Sequence, residues 1–196
     1  IHLIQGFGNL IQAAKARHVR MFFLILFLWN LGWGYSIVWY PTYVLTRFQV
    51  DQYFMTLGLI IQGLGWTFGG AFLKPALLQK KNTSFIAKTS FLTSAILLLL
   101  SYLSTSFPVF IAIYTVAAAF AAMSLSSTFN LISLASPKNI QGKSMGIAQS
   151  VMALGFLFVP IFSSFFGLFE IYAFFPIAAL FLFLGSFILF QTKDLY

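Results

Sequence analysis

The chain is a succession of long apolar runs cut by short polar breaks. Charged residues mark the cuts at Arg20, Arg47, Asp51, Lys74, Lys80, Lys81, Lys88, Lys138, Lys143, Glu170 and Lys193. No charge falls between Arg20 and Arg47, Asp51 and Lys74, Lys143 and Glu170, or Glu170 and Lys193. Each of these runs fits one membrane-crossing helix of about 20 residues. The run from Lys88 to Lys138 fits two, broken at Ser104-Thr105-Ser106-Phe107-Pro108. The spacing predicts six spans, at 21–46, 53–73, 84–103, 108–134, 144–166 and 171–191. The connections are short, so neighbouring helices should run antiparallel. Residues 1–20 form a separate lead-in. There Phe7, Leu10, Ile11 and Ala14 recur at helical spacing before Lys15, Arg17 and Arg20. That pattern suits an amphipathic helix at the membrane surface or a solvated linker. The apolar blocks do not alternate, which argues against a transmembrane barrel.

Composition sharpens the class. Of 196 residues, 60% are hydrophobic and 7% charged, whereas a soluble domain carries about 25% charged residues. Too little polar surface exists to cover a water-soluble globule, which excludes a soluble enzyme, a disordered chain and a nucleic-acid module. The net charge of +8 is explained by its placement. Lys15, Arg17, Arg20, Lys74, Lys80, Lys81, Lys88, Lys138, Lys143 and Lys193 fall on one side of the predicted topology, and Arg47 stands alone on the other. Positive flanks stay cytoplasmic, so both termini are expected in the cytoplasm, with the lysines near lipid headgroups. There are no cysteines, and the two histidines, His2 and His18, lie outside the spans. Neither a cofactor nor a buried metal site is expected.

The spans differ in polarity. The third and sixth have few polar groups at mid-depth and suit lipid over much of their surface. The first, second, fourth and fifth carry polar and small residues, which in a bilayer mark protein contact or a wet cavity. In the first, Trp29, Trp33, Ser36, Tyr40 and Tyr43 share one face, with Asn30 beside it. Such a face can line a pocket for an amphipathic organic solute. An interfacial aromatic belt accounts for Tyr40 and Tyr43 as well, but poorly for mid-depth Trp33. In the second span Gly58, Gln62, Gly65 and Gly69 share a face, and Gly65 to Gly69 makes a GxxxG pattern suited to packing. Buried Gln62 needs a partner and either bridges helices or meets water and substrate. In the fourth span Ala117, Ala121, Ser124 and Thr128 share a face; their hydroxyls can also back-bond to their own helix. In the fifth, Gln149, Ala153, Phe156, Pro160 and Ser163 share a face, and Pro160 should bend the helix. The glycine face of span two and the small-residue face of span five are expected to contact another helical half.

A faint internal repeat pairs Gln62, Gly69 and Pro75 with Gln149, Gly155 and Pro160. Spans one to three and four to six would run oppositely, the logic of inverted repeats in secondary transporters. Two enzyme-like motifs are set aside. Gly142-Lys143-Ser144-Met145-Gly146 fits G-x-S-x-G without a histidine or acid placed to serve it, and its Gly-Lys-Ser lacks the first glycine of a phosphate loop, where Pro137 stands. Asn82-Thr83-Ser84 is a glycosylation triplet in a loop expected to be cytoplasmic. The chain is not expected to be an enzyme.

Three stretches resemble the major facilitator superfamily, in particular the C-terminal six-helix half of a transporter of its drug or tetracycline efflux branch. Residues 21–46, with Gly32-Trp33-Gly34 and Pro41-Thr42-Tyr43-Val44-Leu45, resemble the helix opening that half. Gly69-Gly70-Ala71-Phe72-Leu73-Lys74-Pro75 with Lys80-Lys81 resembles the basic gating loop between second and third helices, here without the acid the family often has. Gln141-Gly142-Lys143-Ser144-Met145-Gly146-Ile147-Ala148-Gln149-Ser150, continuing to Ala153-Leu154-Gly155 and Pro160, resembles the penultimate helix and is the most specific match.

The resemblance implies an all-α fold of two inverted three-helix repeats. It implies a multi-pass protein of the plasma membrane (the bacterial inner membrane) whose partners are a missing N-terminal half, the lipid bilayer and a small-molecule substrate. Helices one and four would line the cavity, two and five would meet the other half, and three and six would face lipid. The expected function is secondary active transport of a small organic solute by alternating access. The alternative is a non-transporting six-helix protein such as a channel subunit or scaffold. Substrate contact is expected from Trp29, Asn30, Trp33, Tyr40, Gln62, Ser124, Thr128 and Gln149. Packing or hinge roles fall to Gly58, Gly65, Gly69, Gly155 and Pro160, and gating-loop roles to Lys74, Lys80 and Lys81. The chain begins at Ile1, which suggests a fragment. Its three acids, Asp51, Glu170 and Asp194, lie in loops or the tail, so a proton-coupling carboxylate is expected elsewhere.

Overall fold

A computed structural model describes residues 17–166 and 173–192. Residues 1–16 of the lead-in, Glu170 and Asp194 lie outside the described residues, and residues 17–20 form the first turn of the first long helix. Within them run six long helices: α1 (Arg17–Phe48), α2 (Gln52–Leu78), α3 (Thr83–Leu103), α4 (Phe107–Ala135), α5 (Gln141–Phe166) and α6 (Phe174–Gln191). All six are long and apolar enough to cross a membrane, which makes this an all-helical protein of multi-pass membrane character.

The polar breaks act as helix punctuation. Asp51 caps α2 by accepting from the Phe54 N–H at 2.9 Å, and Asn82 caps α3 by accepting from the Phe85 N–H at 2.8 Å. Pro108 sits in the first turn of α4, where its missing N–H costs nothing. The turn after α1 places Gln49 at φ 51°, a left-handed conformation that disfavours a side chain.

Span two differs from its expected end at 73. The helix does not stop at the Gly69–Pro75 segment but continues to Leu78. Residues Gly69–Leu73 form a wide π turn in which the Lys74 N–H reaches back to Gly69 O. Pro75 cannot donate a helical hydrogen bond, and the turn widens ahead of it instead of breaking. Lys74 is therefore a buried helical residue, not part of a loop, while Lys80 and Lys81 are exposed in the turn. Pro160 likewise lies inside a continuous helix.

Helices α1 and α4 form the centre. Helix α1 packs on α4, α5 and α6; α4 packs on α1, α2 and α3; α3 and α6 pack on each other. The most enclosed spans are α1 and α4, with 61% and 56% of the span buried, whereas α2 and α5 reach 17% each. Within this chain the outermost helices are thus α2 and α5 rather than α3 and α6. The reason is visible in α3. Its serines do not face outward but lie buried at Ser90, Ser94 and Ser101 with Ala87 and Ala95, small residues that let helices approach closely. Two polar ties fix which ends meet. The Lys88 ammonium donates to Thr192 O at 3.3 Å, joining the start of α3 to the end of α6. At the opposite end Arg47 donates to Ser104 O at 3.1 Å and to the Tyr43 hydroxyl at 2.7 Å. That clamp joins the C-terminal ends of α1 and α3, where a cation is favoured by the helix dipole.

Candidate functional site

The aromatic face of α1 is packed inward, and its rings form a continuous stack with α2 and α4. Trp33 lies parallel to Tyr114 of α4 (centroids 5.5 Å, 18°), and Tyr114 to Tyr40 (5.5 Å, 11°). Trp66 of α2 closes the other side, 5.8 Å from Trp33 and 5.9 Å from Trp29. Trp29, Trp33, Tyr40, Tyr43 and Tyr114 are at most 2% exposed. The belt explanation for Tyr40 and Tyr43 is thereby corrected: both rings are core. Their hydroxyls reach Met55 O at 3.1 Å and Tyr102 O at 3.4 Å.

Around the stack most polar tips are satisfied. Trp29 Nε1 donates to Ser124 Oγ at 2.9 Å, Ser124 donates to Ala121 O, and Thr128 donates to Ser124 O. Ser36 donates to Trp33 O, and Tyr114 donates to Ser36 Oγ at 3.3 Å. Thr115 and Ser127 of α4 have unpaired hydroxyls, and two groups of α1 at the stack are unpaired as well. Asn30 donates to Met152 O of α5, but its Oδ1 has no protein partner, and neither has Trp33 Nε1. These residues are 0% and 1% exposed. A buried unpaired polar group costs on the order of 1–3 kcal/mol, so an acceptor and a donor one helical turn apart are held at the bundle centre against a considerable penalty. Together with the aromatic faces they could bind a ring-bearing solute that both donates and accepts hydrogen bonds.

The structure brings Trp29, Asn30, Trp33, Tyr40, Ser124 and Thr128 together between α1 and α4. Gln62 is buried on α2 (8% exposed), on the face turned to α4. Gln149 is not part of this assembly; it lies on the exposed side of α5, whose buried side carries Ser144, Ala148, Gly155 and Val159. The glycines are packing positions. A Cβ on Gly58 would collide with the Tyr40 hydroxyl, one on Gly65 with Thr115, one on Gly69 with the Ala119 backbone, and one on Gly155 with Asn30. Three of these fill the α2 face toward α4 and α1, which corrects the expectation that this face meets another half. On α5, by contrast, Gln149, Ala153, Phe156 and Pro160 are exposed and contact no helix fully; of that face Ser163 alone is buried, accepting from Trp39 Nε1 at 2.8 Å.

Trp66 and Tyr114 complete the stack, and the sequence pattern does not single them out. Each nevertheless carries a signal: it is a mid-span aromatic with a polar tip, of the type that marks Trp33. Two grooves also open on the outside of the bundle. One, of about 360 Å³, is lined by Val38, Trp39, Pro160, Ser163 and Ser164 between α1 and α5. The other lies between α3 and α6. Among the described residues no cluster of His, Cys, Asp or Glu could hold a metal ion. Compared with known proteins, the chain matches no family model and no curated sequence.

Proposed function

We propose that this chain is a six-helix half of a secondary transporter of the major-facilitator type, moving a small organic solute by alternating access. One observation carries the reading: polar residues sit on the open faces of the wrong helices for a free-standing bundle. Among exposed apolar side chains such as Leu154, Leu157 and Ile161, the open side of α5 carries Gln149, Ser150 and Ser164, and among Ile60, Leu64 and Phe68 that of α2 carries Thr56 and Thr67. The four hydroxyls bond back to their own helices, which leaves Gln149 as the polar side chain a lipid face does not suit. The exposed positions of α3 are Phe85, Ile96, Leu99, Leu100 and Leu103, and the large exposed side chains of α6 are Leu180, Leu184, Phe187 and Phe190. Lipid favours the second kind of face and not the first. Helices α2 and α5 therefore suit a protein partner or a wet cavity, and α3 and α6 suit lipid.

The packing agrees with a two-fold plan. Exchanging α1, α2 and α3 with α4, α5 and α6 leaves the principal contacts of the bundle unchanged, as an inverted repeat would. The orphaned Asn30 Oδ1 and Trp33 Nε1 then supply the substrate contacts, exposed when α2 and α5 shift against a second half. The lysine-rich end is the cytoplasmic one on this reading.

The test uses single cysteines in the naturally cysteine-free chain, expressed in native membranes. Gln149→Cys and Ser164→Cys should react with a membrane-impermeant maleimide, while Ile96→Cys and Leu99→Cys should not. Equal protection of all four would refute the wet face. Counterflow of a solute that slows labelling of Gln149→Cys would separate a carrier from a channel or scaffold, neither of which exchanges solute for solute.

A further inference from the structure

We propose that the groove between α3 and α6 seats one acyl chain of an anionic phospholipid, whose headgroup lies over the lysines at the start of α3. The groove measures about 400 Å³ and is lined by Leu92 of α3 and Phe183, Ser186, Phe187 and Phe190 of α6. Behind it Gly185 lets α6 approach α3 closely: a Cβ there would come within 2.9 Å of the Phe91 ring. The rims are aromatic and open, Phe187 being 62% and Phe190 52% exposed. A flexible hydrocarbon chain fits such a slot, and a bilayer supplies it.

Two further features select a particular lipid. The first is Ser186. It is 2% exposed, and its hydroxyl has no hydrogen-bond partner. Of the serines buried on α3, Ser94 and Ser101 donate to carbonyls of their own helix, while Ser90 is unpaired like Ser186 but does not line the groove. Ser186 stands five residues before the end of α6 at Gln191, roughly 7.5 Å along the axis at 1.5 Å per residue. That depth is the glycerol-ester level of a phospholipid, and a lipid ester carbonyl could pair the hydroxyl once the acyl chain parts the Phe183 and Phe187 side chains beside it. The second feature is charge. Lys80 and Lys81 are exposed in the turn leading into α3, and Lys81 lies 5.0 Å above the Phe85 ring. Lys88, one turn before Leu92, binds Thr192 O at the end of α6. The first turn of α3 adds the partial positive charge of a helix N-terminus. Of the acids, Asp51 is at the opposite end of the bundle, and Asp194 follows Lys193 beyond the described residues. An anionic headgroup complements this end and a zwitterionic one does so less.

The site is independent of transport, so each idea can fail alone. A bimane fluorophore is attached to Ile96→Cys, on the rim side of α3 but outside the groove lining, with Leu103→Cys at the opposite end of α3 as the comparison site. The protein is reconstituted in phosphatidylcholine vesicles containing brominated phosphatidylglycerol or brominated phosphatidylcholine as quencher. At Ile96 half-quenching by phosphatidylglycerol should need at least about fivefold less lipid, since each lysine near the surface contributes about fivefold in affinity. At Leu103 the two lipids should quench alike. The exposed-turn variant Lys80→Gln/Lys81→Gln should abolish the preference, and Ser186→Leu, which fills the groove, should reduce quenching at Ile96 by both lipids. Equal quenching at Ile96, an equal preference at Leu103, or a preference unchanged by the double lysine variant would each overturn the assignment.

Discussion

Gly69→Ala tests how α2 is held on α4. A Cβ placed on Gly69 lies 2.5 Å from both the carbonyl carbon and the Cα of Ala119, with the Ala119 oxygen nearer still. Ordinary contact begins near 3.4 Å, so α2 must retreat by at least about 0.9 Å to clear the two carbons, and further to clear the oxygen. Nothing soft can give way, because the obstacle is backbone. A gap of that size forfeits a quarter to a half of the dispersion well of each contact across it, and Trp66, one turn away on the same helix, is lifted from Trp33. Overpacking of this kind costs about 1–3 kcal/mol. Alanine returns up to ~1 kcal/mol of helix propensity, leaving a net loss of up to about 2 kcal/mol when that return is complete. Gly63 is the internal control: no atom lies within 4 Å of the position its added methyl would take, so Gly63→Ala should be neutral or stabilising by up to ~1 kcal/mol. Thermal unfolding in mild detergent, followed by size-exclusion of the soluble fraction, ranks the two variants. Near-UV circular dichroism should report loss of the tryptophan stack in Gly69→Ala alone. Equal midpoints for Gly63→Ala and Gly69→Ala would refute close backbone packing of α2 on α4.

Four other outcomes follow from the same geometry. Trp33→Phe removes an unpaired donor while keeping the ring against Tyr114, so the midpoint of thermal unfolding should hold or rise while solute protection of Gln149→Cys falls; a lowered midpoint would show that the indole N–H is satisfied in the native bundle. Gln49→Gly should stabilise the protein by up to ~1 kcal/mol, because glycine adopts the left-handed turn at φ 51° without a side-chain clash, read as a raised midpoint. Lys138→Cys should react with an impermeant thiol reagent in everted vesicles and not in intact cells; labelling from outside would reverse the topology. Asp51→Asn keeps an oxygen to cap α2 and should leave any proton coupling of the full-length protein intact, so its loss in proteoliposome uptake would move the coupling carboxylate into this half.

The sequence by itself determined the number of the long helices and where the polar breaks between them fall, but not that α2 runs on to Leu78. A charge in hydrocarbon is too costly to leave unpaired, so uncharged runs mark spans wherever they occur, and Asp51, Asn82 and Pro108 punctuate them by local hydrogen bonding alone. It also gathered Trp29, Trp33, Ser36, Tyr40 and Tyr43 onto one face, because helical periodicity is a local property. What that face meets was decided by tertiary structure. The partner rings come from Tyr114 and Trp66, far along the chain, and no spacing rule in α1 identifies them. The same holds for glycine: GxxxG announces a close approach, but only the position of the Ala119 backbone shows that α4 of this chain makes it. Polarity read span by span assigned α3 to lipid over much of its surface, but it did not show that the serines of α3 turn inward while its exposed positions are apolar. A helix's average polarity is a sum over all its faces, whereas burial depends on which face a neighbour covers, and that choice belongs to the packed bundle.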